Sequence, residues 1–269
     1  MKFFRSQPDI LITGLAKTGT TILFSRIRES VSPRPLTFFE PTTAEELNQI
    51  LKQGKRKSTL TKCLAGHVMD KADIVSGFTH PLLIIRDPRD QFVSEMLYEF
   101  FTLYKNRDVE GYRAAASLLE QKVAHPEQRS CRCLFAEIAS LAIKQPVHYS
   151  LISLLAEKYQ NLEQYRDAID PFVVKYEDII DDNLAPLAAY LGVKTILPAE
   201  VDPEVTRVRR TSGYGEWRQW FTPEDVEEFE SELGEMMRRH GYGTCELPQR
   251  QVIPAETSLD YIRQFLPES

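Results

Sequence analysis

Short apolar runs recur along the chain at residues 10–13, 36–39, 59–64, 82–85 and 172–175, with stretches of helical period between them. Alternation of this kind predicts an α/β fold: about five parallel strands, with helices on both faces in three layers. The runs at 82–85 and 172–174 are unbroken, as expected of central strands covered on both sides. Ligands of such sheets bind beyond the carboxyl ends of the strands.

Between residues 90 and 170 the pattern changes to long helices. Val93, Met96, Leu97, Phe100, Phe101 and Tyr104 make one apolar face, and helical periods follow near 112–123, 133–143 and 147–162. The expected organisation is a single domain over 1–269, with a helical subdomain at 91–168 inserted between strands and forming part of a substrate wall. Farther on, Thr222 and Pro223 open a helix as cap and first residue, Val226, Phe229, Leu233 and Met236 form its stripe, and Gly241 stops it. An irregular tail with one short helix near 259–265 closes the chain.

At 269 residues the chain can bury a sizeable core. A net charge of -6 argues against a general nucleic-acid binder or a binder of anionic membranes, so any anion site must be local. Cys63, Cys131, Cys133 and Cys245 lack the spacing of a zinc set and read as free thiols. The first residues lack the apolar stretch of a signal peptide, and no run approaches the ~18 apolar residues of a transmembrane segment, so the expected location is cytoplasmic.

The local anion site is visible at the end of the first strand, which runs directly into GLAKTGTT, residues 14–21, and then into a helix. A strand that stops at a Gly-rich turn and opens a helix points several backbone N–H groups at one spot, where the helix dipole adds positive charge. Lys17 brings a full charge and Thr18, Thr20 and Thr21 bring hydroxyls. The nucleotide P-loop reads GxxxxGK[ST], with Lys beside the hydroxyl that holds Mg²⁺. Here Lys17 precedes Gly19, so this is a P-loop relative whose lysine has moved. Alone it leaves a kinase or NTPase open, and equally a non-catalytic adenylate-binding protein.

Two further segments carry anion chemistry. Arg86 emerges at the end of the fourth strand in RDPRDQFVSEM, and Ser94 lies early in the next helix, where both could reach a phosphate. By itself the Arg86, Asp87, Arg89, Asp90 cluster also fits a surface salt-bridge group at a helix start. In RVRRTSGYGEWRQWFTPED, residues 207–225, arginines precede a glycine-containing stretch that Trp217 and Trp220 can anchor.

Together these segments resemble the sulfotransferases that use 3′-phosphoadenosine 5′-phosphosulfate, in order and over nearly the whole chain. LAKTGTT resembles that family's 5′-phosphosulfate loop, PKSGTTW, and RDPRDQFVSEM resembles its 3′-phosphate motif, RxPxDxxxSxY. KYEDI, residues 175–179, resembles its YEDL segment, and RRTSGYGEWRQWFT its late RKGxxGDWKxxFT loop. The resemblance implies that Lys17, Thr18, Gly19, Thr20 and Thr21 hold the 5′-phosphosulfate and that Arg86, Ser94 and Arg210 bind the 3′-phosphate. Tyr176 would lie toward the adenine. Ile22 stands where the family often has a Trp, and Thr211 and Ser212 where it has Lys and Gly. The implied donor is 3′-phosphoadenosine 5′-phosphosulfate, and the implied product adenosine 3′,5′-bisphosphate.

Sulfuryl transfer needs in-line geometry and stabilisation of charge on the leaving oxygens more than covalent help, so Lys17 and the loop amides suffice and no metal is expected. The acceptor hydroxyl needs a base. Glu40, in FFEP at the end of the second strand, resembles the FEP segment of carbohydrate sulfotransferases; buried beside Phe39 it would have a raised pKa, and it equally fits an exposed strand-end carboxylate. His67 is the second candidate. Lys62 fits the lysine of the KTHLP segment of cytosolic family members, whose histidine position falls on Leu64. FFEP favours a carbohydrate or other aliphatic alcohol as the small-molecule acceptor over a phenol.

Overall fold

The computed structural model describes residues 8–54, 57–200, 213–243 and 246–265. The chain forms two compact units, one built from Met1–Arg86 with Gln160–Asp202 and the other from Asp87–Tyr159 with Pro203–Ser269.

The first unit holds a five-stranded sheet: β1 (Asp9–Gly14), β2 (Leu36–Phe39), β3 (Thr59–Leu64), β4 (His80–Ile85) and β5 (Phe172–Lys175). Every pairing is parallel, in the order β2-β3-β1-β4-β5. The chain adds β2 and β3 on one side of β1 and then crosses to place β4 on the other. The strand order therefore reverses at β1, and the loop after Gly14 opens at the crevice where α/β sheets take ligands. Helices α1 (Thr20–Ser30), α2 (Ala44–Gly54), α3 (Ala72–Val75), α8 (Tyr176–Ile180) and α9 (Ala185–Leu191) belong to this unit.

Every residue of β1 is buried, because both its faces are covered. Ile10 and Ile12 pack in one cluster with Leu23 and Ile27 of α1, Leu82 and Ile84 of β4, and Ile179 and Leu187 of α8 and α9. On the alternate face the Thr13 hydroxyl donates to the Leu82 carbonyl at 2.9 Å and lies 3.4 Å from the Tyr165 hydroxyl. Arg26 of α1 is buried and donates to the carbonyls of Ile179, Ile196 and Leu197, and to Asp182, clamping the segment after α8.

The expectation of two central strands needs one correction. β4 lies inside the sheet, but β5 is an edge strand among the described residues, and its burial is only partial. Its apolar character is used on one face: Phe172 stacks on Tyr190 of α9 with ring centroids 4.6 Å apart, and both pack against the cluster around β1, β4 and α1.

The second unit is helical in its described residues. It contains α4 (Pro88–Lys105), α5 (Val109–Ala124), α6 (Cys131–Ile143), the 3₁₀ turn Glu216–Gln219, α10 (Pro223–Arg239) and α11 (Leu259–Arg263). Helix α7 (Leu151–Ile169) carries the chain back toward β5. The expected stripe on α4 is buried except at Tyr104, which is exposed. Phe92 of α4 centres an aromatic core with edge-on contacts to Phe135, Phe221 and Phe229. Among the described residues no helix is long and apolar enough to cross a membrane.

Candidate active site

The loop after β1 is shaped by what its residues exclude. A β-carbon on Gly14 would lie 2.5 Å from Ile84 Cγ2 and 2.8 Å from Thr18 Oγ1, so only glycine lets β1 turn there. Thr18 is fully buried and its hydroxyl donates to the Leu15 carbonyl at 2.8 Å, closing the turn from within. Lys17 and Gly19 both take left-handed backbone, at φ 64 and φ 94. For lysine that conformation costs about 1 kcal/mol or more, a strain of the kind that gathers at functional sites. Gly19 caps α1, whose first turn, Thr20 onward, carries no acidic residue. The amides of that turn have no acceptor within the helix, and the dipole favours an anion in front of them.

Arg86 leaves the carboxyl end of β4 beside this loop. It is buried, and its Nη1 donates to the Lys17 backbone carbonyl at 3.1 Å. Its guanidinium lies 4.3 Å from the centre of the Tyr176 ring, which follows the end of β5 as the first residue of α8. Tyr176 in turn fills the space a side chain on Gly19 would need. Parallel strands place all these ends at one edge, so Lys17, Gly19, Arg86 and Tyr176 meet although their positions in the sequence are far apart.

Glu40 and Lys62 form a second group at the same edge of the sheet. The Glu40 amide donates to the Lys62 carbonyl at 2.7 Å, and the Lys62 ammonium bonds the Glu40 carboxylate. The Lys62 side chain is 4% exposed and its Nζ sits 4.2 Å from the centre of the Phe39 ring. Glu40 itself is left-handed at φ 54. Of the two readings of Glu40, burial beside Phe39 is not found and exposure is: the Glu40 side chain is 40% exposed and Phe39 is 49% exposed. The reason is position, since β2 is the outer strand of the sheet on this side. His67, half-buried, ends the 3₁₀ turn Ala65–His67 that follows β3. Cys63 between them is buried, and loss of hydration pushes its thiol up to about 11.

The remaining candidates lie in the second unit. Ser94 is buried on α4, two turns after its start. Arg210, with Thr211 and Ser212, falls outside the described residues. The cluster following Arg86 divides. Asp87 caps α4 and takes two bonds from the Arg89 guanidinium, at 2.9 and 2.8 Å. Arg89 also donates to the Gly243 carbonyl and stacks on Trp217, 4.0 Å from its ring centre. Asp90 is fully buried and accepts from the amides of Gly215 and Trp217. A surface salt-bridge group is therefore not what residues 87–90 form: they hold the start of the 3₁₀ turn, and Trp217 and Trp220 are fully buried as its anchors. Sequence reasoning missed this role, because the partners of Asp90, Gly215 and Trp217, lie far along the chain and leave no local sign beside residues 87–90. Among the described residues no group of three or more His, Cys, Asp or Glu side chains is arranged to hold a metal ion.

Among solved structures, the chain is similar to mouse sulfotransferase SULT7A1 complexed with PAP. Identity is 18% over 86% of this chain and 85% of that one, with a TM-score of 0.49. It is also similar to retinol dehydratase in complex with androsterone and inactive cofactor PAP, at 14% identity over 96% of this chain and 78% of that one, with a TM-score of 0.31. No protein-family model matches the chain, and no curated protein matches it.

Proposed function

We propose that this chain is a sulfotransferase that moves the sulfuryl group of 3′-phosphoadenosine 5′-phosphosulfate to a hydroxyl, with a carbohydrate or other aliphatic alcohol favoured as acceptor. The observation that carries the reading is the junction of Lys17 and Arg86: a buried arginine from β4 hydrogen-bonded to the carbonyl of the lysine in the β1 loop. That contact supports reading the two anion-binding motifs as one site for a bisphosphorylated nucleoside.

The residues fit such a group. Gly14 and Gly19 let the loop pack closely on Ile84 and Tyr176, the first turn of α1 supplies amides, and Thr20 and Thr21 supply hydroxyls. Arg86, with Ser94 and Arg210, would hold the 3′-phosphate, and Tyr176 would lie toward the adenine. The donor supplies an activated sulfuryl group whose leaving phosphate carries growing negative charge. Lys17 would meet that charge, as a preorganised donor does in comparable oxyanion sites. Glu40 is the first candidate to take the acceptor proton and His67 the second. Lys62 holds the Glu40 carboxylate in place.

The test is transfer from labelled phosphosulfate to a panel of sugars, aliphatic alcohols and phenols, with and without EDTA. Labelled product in both conditions supports the reading. Turnover of ATP that stops with EDTA, with no sulfated product, overturns it in favour of a nucleotide-dependent kinase or NTPase. Arg86→Ala is expected to weaken nucleotide binding more than it lowers the rate at saturation.

A further inference from the structure

One buried ring touches both halves of the proposed site. Tyr176 is 6% exposed and Arg86 4%. A β-carbon on Gly19 would lie 2.5 Å from Tyr176 Cδ2 and 3.1 Å from Cε2, so the ring is seated against the phosphate loop where that loop has no side chain. The same ring carries the Arg86 guanidinium 4.3 Å from its centre. Arg86 then closes the circuit by donating to the Lys17 carbonyl at 3.1 Å, and Lys17 is a residue held in left-handed backbone.

We propose that Tyr176 is a positioning residue that sets the separation and orientation of the two anion-binding groups, and so confers the preference for a nucleoside bisphosphate over a monophosphate. A guanidinium laid on an aromatic face is fixed in plane, which aims its fork of N–H donors in one direction. A ring pressed against Gly19 fixes where the loop stands relative to that fork. Tyr176 thereby acts on the phosphates through Arg86 and Gly19, whatever it contributes toward the adenine. The inference rests on the proposed nucleotide site and goes beyond it, because it assigns selectivity to a residue that need not touch either phosphate.

The experiment measures dissociation constants for adenosine 3′,5′-bisphosphate and adenosine 5′-monophosphate. The proteins are the wild type, Tyr176→Phe, Tyr176→Leu, Arg86→Ala, Arg86→Lys and the Tyr176→Leu/Arg86→Ala double variant. The ratio of the two constants is the preference. Tyr176→Leu is expected to lower it by about 10-fold, within the range an aromatic platform gives a cation, and Tyr176→Phe to recover it. The double variant is expected to prefer the bisphosphate no less than Arg86→Ala does, because the two residues act as one. Arg86→Lys keeps the charge but loses the planar stack, and is expected to lower the preference while Tyr176 is intact; this arm stands even if Tyr176→Leu fails to fold. Equal weakening of both nucleotides in Tyr176→Leu, or additive losses in the double variant, overturns the positioning role and leaves the proposed function standing. A wild type that binds neither nucleotide overturns both.

Discussion

At Gly19 two constraints coincide: φ is +94, and a β-carbon would meet the Tyr176 ring at 2.5 Å. Gly19→Ala is therefore expected to cost ~1–3 kcal/mol in stability and to weaken nucleotide binding, read from denaturant unfolding and titration. Gly66 has nothing within 4 Å of the same position, so Gly66→Ala is the control, expected within about 0.5 kcal/mol of wild type. At this scale much of the candidate site was legible. Lys17, Arg86 and Tyr176 stand out because each follows an apolar run, and parallel strands bring such ends together. Arg89 and Asp90 were not legible: they share a segment with Arg86, but the Asp90 partners Gly215 and Trp217 lie 125 and 127 residues further along the chain. Glu40 was legible as a strand-end carboxylate, with the buried and the exposed reading equally open, because the order of strands is not written in any single strand.

Among the elements, α6 and α10 share one cap. Thr222 and Asp225 form the capping box of α10, and the buried Asp225 carboxylate also accepts from the first amides of α6, Cys131 at 2.8 Å and Arg132 at 3.0 Å. Thr222→Ala is expected to cost about 1 kcal/mol, the usual loss of an N-cap. Asp225→Ala is expected to cost ~3 kcal/mol or more, since it leaves several buried donors of two helices without their charged acceptor. Similar urea midpoints for the two variants would contradict this shared role. The Thr222 and Pro223 start was readable from residue type, whereas the bond to α6 was not. The helical period near 147–162 stopped short for a related reason. Helix α7 continues to Ile169, and its last turns are held by buried Tyr165 and by the Glu163–Arg166 ion pair instead of an apolar stripe.

In the molecule as a whole, all five strands were legible from apolar runs, but the packing of the described residues 213–243 and 246–265 with 87–159 was not, because contacts such as Asp225 with α6 leave no period in the sequence. Burial has a consequence for alkaline stability. Tyr112 and Tyr165, one in each unit, are pushed up from 10.0 to about 12, chiefly by loss of hydration. The unfolded chain releases these protons near pH 10 and the folded chain holds them to about 12. Their stabilising effect is therefore fully present below that window and is expected to be lost as pH rises across it, by up to ~1.4 kcal/mol per pH unit for Tyr165 and less for Tyr112. Urea midpoints between pH 9 and 11 check this, and Tyr165→Phe should flatten the slope. The central claim is that Lys17 stabilises the group leaving a sulfuryl donor, and the most direct measurement is single-turnover transfer of labelled sulfuryl by Lys17→Ala at saturating donor and in EDTA. The expected result is a rate lower by about 100- to 1,000-fold, the size of effect seen when one oxyanion donor is removed. A near-normal rate in that variant, or no transfer by the wild type to any acceptor, would contradict it.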